Sequence, residues 1–503
     1  MSAQEFIDAP WQESHRVFEN SVFNIRPAPE FSTGEVVLSS LYRASGFQDV
    51  TEKQVKGLGD ELRKAADKAS KKEGKDGAIQ PDTWRTVLDR LVQSPKVSQQ
   101  SSKRFMSLSP VVPDTALYSG APRLSGNPWN PGQLVKRIIQ IGASSNEAAT
   151  KVWQRLHEAL CVDTNDDVWA CWLQEEFELR RIGSSVWQSN ALPFLEGLPS
   201  TDRTLFQYPA KQFVADLGGI ISAKAAMTRR QWISLLEAVL RIGTVSHILW
   251  LCDVSDRIWR VVRGVMEGTA TNVPTSEADV VSQMLAVKRR MLSFGHPAHP
   301  TLRDYASKYL SARLGLNRVL WALEDTGVPV TNLNSVAEIL AFLGTIRAQR
   351  ERLTNAGIMD SYHELHDREI RTVACKKGVG ANLMEFALYT LGQRQTMDET
   401  LRGYDQGYFL KKRGRARNAP WLLTLGPASV LAMAHCCLHE VNGPRSVQRL
   451  AMHLASYGIE FDLHGLNDSD LGRQLRMLSL VLDSPDAESG MLLVPPFAKL
   501  VVS

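Results

Sequence analysis

Five cations fall within seven residues at Lys411, Lys412, Arg413, Arg415 and Arg417, with the aromatic residues Tyr404, Tyr408 and Phe409 before them and Trp421 after. Side chains that neutralise phosphates release condensed counterions, so such a cluster gives salt-dependent affinity for nucleic acid without reading its sequence. Interleaved rings add a second kind of contact, because exposed bases stack on aromatic faces. The same composition also describes a solvated loop between two domains. A second group, Arg473, Gln474 and Arg476, lies nearer the C terminus and offers donors suited to phosphates or base edges. Asp468, Asp470, Asp483, Asp486 and Glu488 surround it with charge that a phosphate backbone repels.

Patterns for catalysis are missing from the sequence. Gly74-Lys75 is followed by Asp76 and lacks the upstream glycine of a phosphate loop. Gly378-Val379-Gly380 is no dinucleotide fingerprint, and no G-x-S-x-G elbow occurs. His363 and His366 are three residues apart on a helical pattern, without a third ligand or the H-E-x-x-H spacing. His435, Cys436 and His439 sit in an apolar run, where cysteine behaves as a small hydrophobe. His296-Pro297-Ala298-His299-Pro300 reads as a turn before a helix. Carboxylates such as Asp166, Asp167, Glu175 and Glu176 are suited to magnesium in a cryptic nuclease, although acids on amphipathic helices are ordinarily a solvated face. No catalytic residue, metal or cofactor is therefore expected.

The elements that must position these groups follow from composition and periodicity. With 503 residues, 44% hydrophobic and 22% charged, the chain is long enough for roughly two to four folded domains. Its net charge of +4 is too balanced to declare a nucleic-acid binder from totals, so local clustering has to carry that argument. The six cysteines show no C-x-x-C pair, and Met-Ser-Ala-Gln-Glu lacks the features of a signal peptide, so a reducing cytoplasm is expected. Trp153, Trp169, Trp172, Trp232, Trp250, Trp259 and Trp321 lie in helical patterns and are expected to fill cores. The charge-free run from Trp421 to Leu438 resembles a membrane span, but Gly426-Pro427 breaks it and leaves too few residues to cross a bilayer.

Six segments follow. Residues 1–50 read as an extended arm, because Trp11, Phe18, Phe23 and Phe31 show no helical period. Residues 51–94 predict two helices, Glu52 to Ala69 and Pro81 to Val92, flanking the lysine-rich stretch 71–75. Residues 95–132 are rich in Ser, Pro and Gly and predict a linker. Residues 133–403 predict an irregular helical body, with caps at Ser144, Thr228, Ser276 and Ser335, each followed three residues later by an acid or glutamine. Those caps are unevenly spaced, which argues against a regular repeat. Residues 404–425 form the basic and aromatic connector.

Residues 426–503 carry the clearest order of elements. A helix follows Pro427 and is stopped by Asn442-Gly443-Pro444; Ser446 caps a second that Gly458 ends; a third runs from about Asp468 to Met477. Leu480-Val481-Leu482 and Met491-Leu492-Leu493-Val494 are then two strands around a turn-rich loop. Three helices and a hairpin resemble the winged-helix superfamily. That resemblance implies a third helix in the DNA major groove, with Arg473, Gln474 and Arg476 nearest the bases. Taken together, a mainly α chain is expected, with a C-terminal winged helix. Its expected function is that of a non-enzymatic subunit binding DNA and other proteins, not a membrane. The arrangement resembles accessory parts of multi-gene DNA-processing or phage-defence systems. A protein-interaction scaffold without direct nucleic-acid contact is the alternative, and a cryptic metal-dependent nuclease is a second alternative.

Overall fold

The computed structural model describes residues 2–25, 34–47, 50, 52–69, 77–94, 108–119, 131–192, 208–285, 291–330, 332–374, 378–394, 403–414, 419–460, 462–483 and 491–497. The fold is mainly α, with short strands.

The N-terminal fifty residues differ from the extended arm that their sequence predicts. They form α1 (Ala3–Asp8), α2 (Arg16–Glu19) and α3 (Gly34–Gly46). Helix α3 is buried on nearly every side, with Ser39, Ser40, Ala44 and Ser45 keeping it thin enough for neighbours to close in. Its polar stripe, Glu35, Ser39 and Arg43 at four-residue spacing, is buried as well, so no side of the helix is left to water. The segment before it is tied down by polar contacts. Arg313 donates to the carbonyls of Pro10 and Glu13, and Asn317 accepts from the His15 amide.

Helices α4 (Glu52–Ala69) and α5 (Pro81–Val87), the latter continued by a π turn over Leu88–Val92, match the two expected helices. The lysine-rich stretch between them lies outside the described residues, as does most of the expected linker. The described part of that linker, 108–119, is a core insert. Its 3-10 turn Pro113–Leu117 is wholly buried, and Asp114 receives Arg181 Nε and Nη2 at 2.6 and 2.9 Å. Proline and serine broke the periodicity there without making the segment solvent-loving. Together with Trp84, Leu173 and Phe177, these residues form a second, smaller apolar cluster.

The body comprises α6 (Pro131–Gly142), α7 (Asn146–Leu160), α8 (Val168–Leu179), α9 (Tyr208–Ser222), α10 (Arg229–Glu267), α11 (Glu277–Val280), β1 (Leu292–Ser293), α12 (His299–Asp325), α13 (Val336–Ala348), α14 (Arg350–Asn355), α15 (Ile358–Ala374) and α16 (Gly378–Leu391). Capping boxes at Thr228, Ser276 and Ser335 start α10, α11 and α13. The cap of α7 is Ser145 in place of Ser144. The 39-residue α10 is the axis, packed by α3, α9, α12 and α16. It is long and apolar enough to cross a membrane, yet every residue of its apolar window is buried by these neighbours. Trp153, Trp232, Trp250, Trp259 and Trp321 are core residues as expected, whereas Trp169 and Trp172 form a half-buried pair 5.0 Å apart.

The C-terminal part adds β2 (Leu410–Lys412), β3 (Trp421–Leu423), α17 (Pro427–Leu438), β4 (Arg445–Ser446), α18 (Gln448–Ser456), β5 (Ile459–Glu460), α19 (Asp470–Met477), β6 (Val481–Asp483) and β7 (Met491–Leu493). Strands β4, β7 and β6 form an antiparallel sheet in that order. The apolar run 421–438 splits into β3 and α17, and α17 is buried against α9 and α10. Strand β5, within the expected loop, pairs in parallel with β1 of the body. One apolar cluster therefore runs from Phe6 to Leu493, without a break before α17.

Candidate nucleic-acid interface

The basic connector is a β-hairpin. Strands β2 and β3 pair antiparallel, Leu410 opposite Leu423 and Lys412 opposite Trp421, and the Arg413 amide donates to the Pro420 carbonyl at 2.9 Å. Alternation sorts the side chains: Leu410 and Leu423 face the core, while Lys411 points to solvent. Lys412 Nζ lies 5.2 Å from the Trp421 ring centre, a cation held over an aromatic face. Gly414 adopts φ +114°, a conformation open to glycine, at the start of the turn.

The hairpin has a fixed base. The Phe409 amide donates to Leu391 at the end of α16, the Leu423 amide to His296, and the Ala298 amide to Trp421. Its exposed end carries Lys411 and Arg413, which pair with no carboxylate among the described residues. Arg415 and Arg417 lie outside those residues.

The aromatic candidates divide. Tyr408 and Phe409 are 5% and 0% exposed and offer no face to a base; the inward side of the hairpin takes them into the core. Their expected stacking role is therefore corrected. Tyr404 is half-buried, its hydroxyl receives Arg230 Nη2 at 3.0 Å, and the Arg230 guanidinium stands 5.6 Å from the ring centre.

On α19 the cations are engaged by the module itself. Arg473 pairs with Asp470 one turn earlier, and Arg476 donates to the Asn467 carbonyl at 2.8 Å and to its side chain at 3.1 Å. Gln474 is half-buried, with a buried Oε1 that has no partner among the described residues. The loop 484–490 with Asp486 and Glu488 lies outside the described residues. Beside these charged groups the module also exposes large apolar side chains: Met477 at 82%, Met452 at 66% and Leu482 at 53%.

The acidic candidates for magnesium hold the fold together. Asp166 is paired with Arg229 and Lys224, Asp167 caps α8, and Glu176 is paired with Arg180, leaving Glu175 alone exposed. His366 contacts Ser311 Oγ at 3.1 Å, and His435 contacts the Gly219 carbonyl at 3.0 Å. Burial holds the Cys436 thiol well above its usual pKa and Cys437 up to about 12, so neither is a ready thiolate. Among the described residues no three His, Cys, Asp or Glu side chains are placed to share a metal.

One feature escaped sequence reasoning. Arg241, fully buried in α10, donates from Nη2 to Glu237 at 2.8 Å and to Asp405 at 3.1 Å, and Asp405 also accepts the Arg394 amide at 2.8 Å. Burial works against the Arg241 cation, but Asp405 and Glu237 outweigh it and hold its pKa above the ordinary arginine value. This ion pair fixes the start of the connector to α10. Glu237 and Arg241 at i, i+4 were visible in the sequence, but Asp405 is 164 residues away and nothing local marks it. Compared with known proteins, the chain matches no family model and no curated protein.

Proposed function

We propose that the protein is a non-enzymatic, nucleic-acid-associated subunit whose contact with phosphates is the tip of the β2–β3 hairpin. The observation that carries this reading is a rigidly based hairpin presenting Lys411 and Arg413 to solvent without carboxylate partners among the described residues, next to Lys412. Cations already paired within the protein lose much of what a phosphate offers them, whereas these keep it.

The C-terminal three helices and three strands are proposed to be a winged-helix module. Support comes from the element order α17, β4, α18, β5, α19, β6, β7, in which β5 pairs outside the module with β1, and from the strand order β4-β7-β6. We assign this module to protein docking, because Arg473 and Arg476 are engaged internally while Met452, Met477 and Leu482 are exposed. Exposed large apolar side chains are where protein partners gain most by excluding water.

Fluorescence anisotropy with short DNA and RNA across a salt series tests the hairpin reading. Three phosphate contacts give a slope of log affinity against log salt of about −2.7, or roughly 40-fold weaker duplex binding from 50 to 200 mM salt. The double variant K411E/R413E leaves one contact and a slope near about −0.9. Absence of saturable binding at 50 mM salt, or a slope unchanged in the double variant, overturns the reading.

A further inference from the structure

The sheet of the C-terminal module has two edges, and they differ. Strand β7 lies in the middle. Its Met491 carbonyl accepts from the Val447 amide on the β4 side, while the Val494 amide just past it donates to the Leu480 carbonyl on the β6 side. Peptide groups along a strand alternate in direction, so residues 491 and 493 turn toward β4 and residue 492 turns toward Leu482, its partner in register. The peptide groups of Val481 and Asp483 therefore point away from β7, to the open side of β6, and they bond to nothing else among the described residues.

The β4 edge is defended. It is two residues long, α18 begins two residues after it, the exposed Arg445 lies on it, and Pro444 before it has no N–H to offer. The β6 edge has none of these devices. Val481-Leu482-Asp483 holds no lysine, proline or glycine, and its central residue, Leu482, is half exposed. A strand with unpaired peptide groups and an apolar centre is a template for another strand.

We propose that β6 pairs antiparallel with β6 of a second copy of this chain, about a twofold axis at Leu482. This inference rests on the docking role given to the module above. In that register Val481 lies opposite Asp483 of the second copy, and Asp483 opposite its Val481, so every outward N–H meets an outward C=O. Leu482 meets Leu482 of the second copy across the axis, apolar against apolar, as a close pair without hydrogen bonds between them. Asp483 meets valine and not its own like charge. The defended β4 edge keeps β6 from adding there, so the pairing closes at two chains, whereas β6 joined to β4 would add chains without end. Contact through such short strands is at the small end for protein interfaces, so the dimer is expected to be weak and concentration-dependent.

Sedimentation velocity of the full-length chain from about 1 to about 300 µM measures the association. The expected result is a mass that doubles with concentration and goes no higher. Dimerisation is expected to be at least about tenfold weaker in Leu482→Lys and in Val481→Pro, whose lost N–H belongs to the open edge and not to the β7 ladder. Met477→Lys, on exposed surface outside the edge, is expected to dimerise like the wild type. Circular dichroism confirms that each variant is folded. A cysteine tests the register. Directly opposed residues without hydrogen bonds have Cα atoms about 4.5 Å apart, within disulfide reach, so Leu482→Cys is expected to form a covalent dimer under diamide faster than Met477→Cys or the wild type. A monomer at every concentration overturns self-pairing and leaves the docking reading to a partner of another kind. A dimer retained in Leu482→Lys and lost in Met477→Lys overturns the edge and keeps the module as the docking surface. A dimer indifferent to both substitutions overturns the edge and the docking reading together.

Discussion

Replacing Arg241 with methionine tests whether the buried ion pair holds the connector in place. The side chain is wholly buried, and its Nη2 bonds to Glu237 at 2.8 Å and Asp405 at 3.1 Å are lost in R241M, leaving two buried carboxylates close to Glu35 without the Arg241 charge. Removing one partner of a buried pair costs about 3–5 kcal/mol, because the remaining charge is left uncompensated. Against a total stability on the order of 5–15 kcal/mol, that is from about a fifth to nearly all of what holds the native state. The loss is electrostatic, not a matter of volume, so R241M/E237Q/D405N is expected to return to within about 2 kcal/mol of the wild type. Urea unfolding followed by both tryptophan fluorescence and far-UV circular dichroism measures each variant. The reasoning fails if R241M loses less than about 1 kcal/mol, or if the triple variant is no more stable than the single one.

Three further outcomes follow from other parts of the core. His247 is buried and has no hydrogen-bond partner for either ring nitrogen among the described residues, and burial, helped by Arg137, lowers its pKa from 6.5 to about 3. The folded state refuses a proton that the unfolded chain takes below pH 6.5, so stability falls as pH drops from 6.5 toward 3. At pH 5 the loss is about 2 kcal/mol, and His247→Leu is expected to flatten that part of the stability-pH curve. Gly315 in α12 sits beneath the Trp259 ring of α10, so Gly315→Ala is expected to destabilise by about 1–3 kcal/mol through overpacking. That sign opposes the gain of about 1 kcal/mol that alanine brings in an open helix, and a raised thermal midpoint in Gly315→Ala refutes the close approach. Ser335 accepts from the Glu338 amide, so Ser335→Ala is expected to lower stability by about 1 kcal/mol in urea unfolding, with an unchanged cap energy counting against it.

Much of the helical layout was legible because its signals are local. Thr228, Ser276 and Ser335 each pair a cap oxygen with a side chain three residues on, and each starts a helix in the structure. The ends of α4 were readable from its amphipathic stripe. Burial on all sides removed that signal elsewhere. Helix α3 buries even its polar stripe of Glu35, Ser39 and Arg43, and the 108–119 insert owes its place to Asp114 meeting Gln174 of α8 and Arg181 just past its end, some sixty residues away. Composition misled there, since serine, proline and glycine describe a backbone that cannot be helical and say nothing of whether water reaches it.

The site was legible in its charges and not in its geometry. The cluster at 411–417 is plain in the sequence, but a three-residue strand facing another across a basic turn carries too little alternation to announce a hairpin. Pairing then decides which aromatic residues matter. Phe409 precedes β2 and is drawn inward beside Leu410, whereas Tyr404, five residues earlier, stays at the surface because Arg230 holds its hydroxyl. A similar inversion affects the C-terminal helices. Arg473 and Arg476 looked like the reading edge of a recognition helix, yet Asp470 and Asn467 lie one turn away or at the helix start and engage them first. An exposed cation close to its own carboxylate gains little by exchanging it for a phosphate, so Lys411 and Arg413, which pair with no carboxylate among the described residues, are the better place to test the proposed phosphate contact.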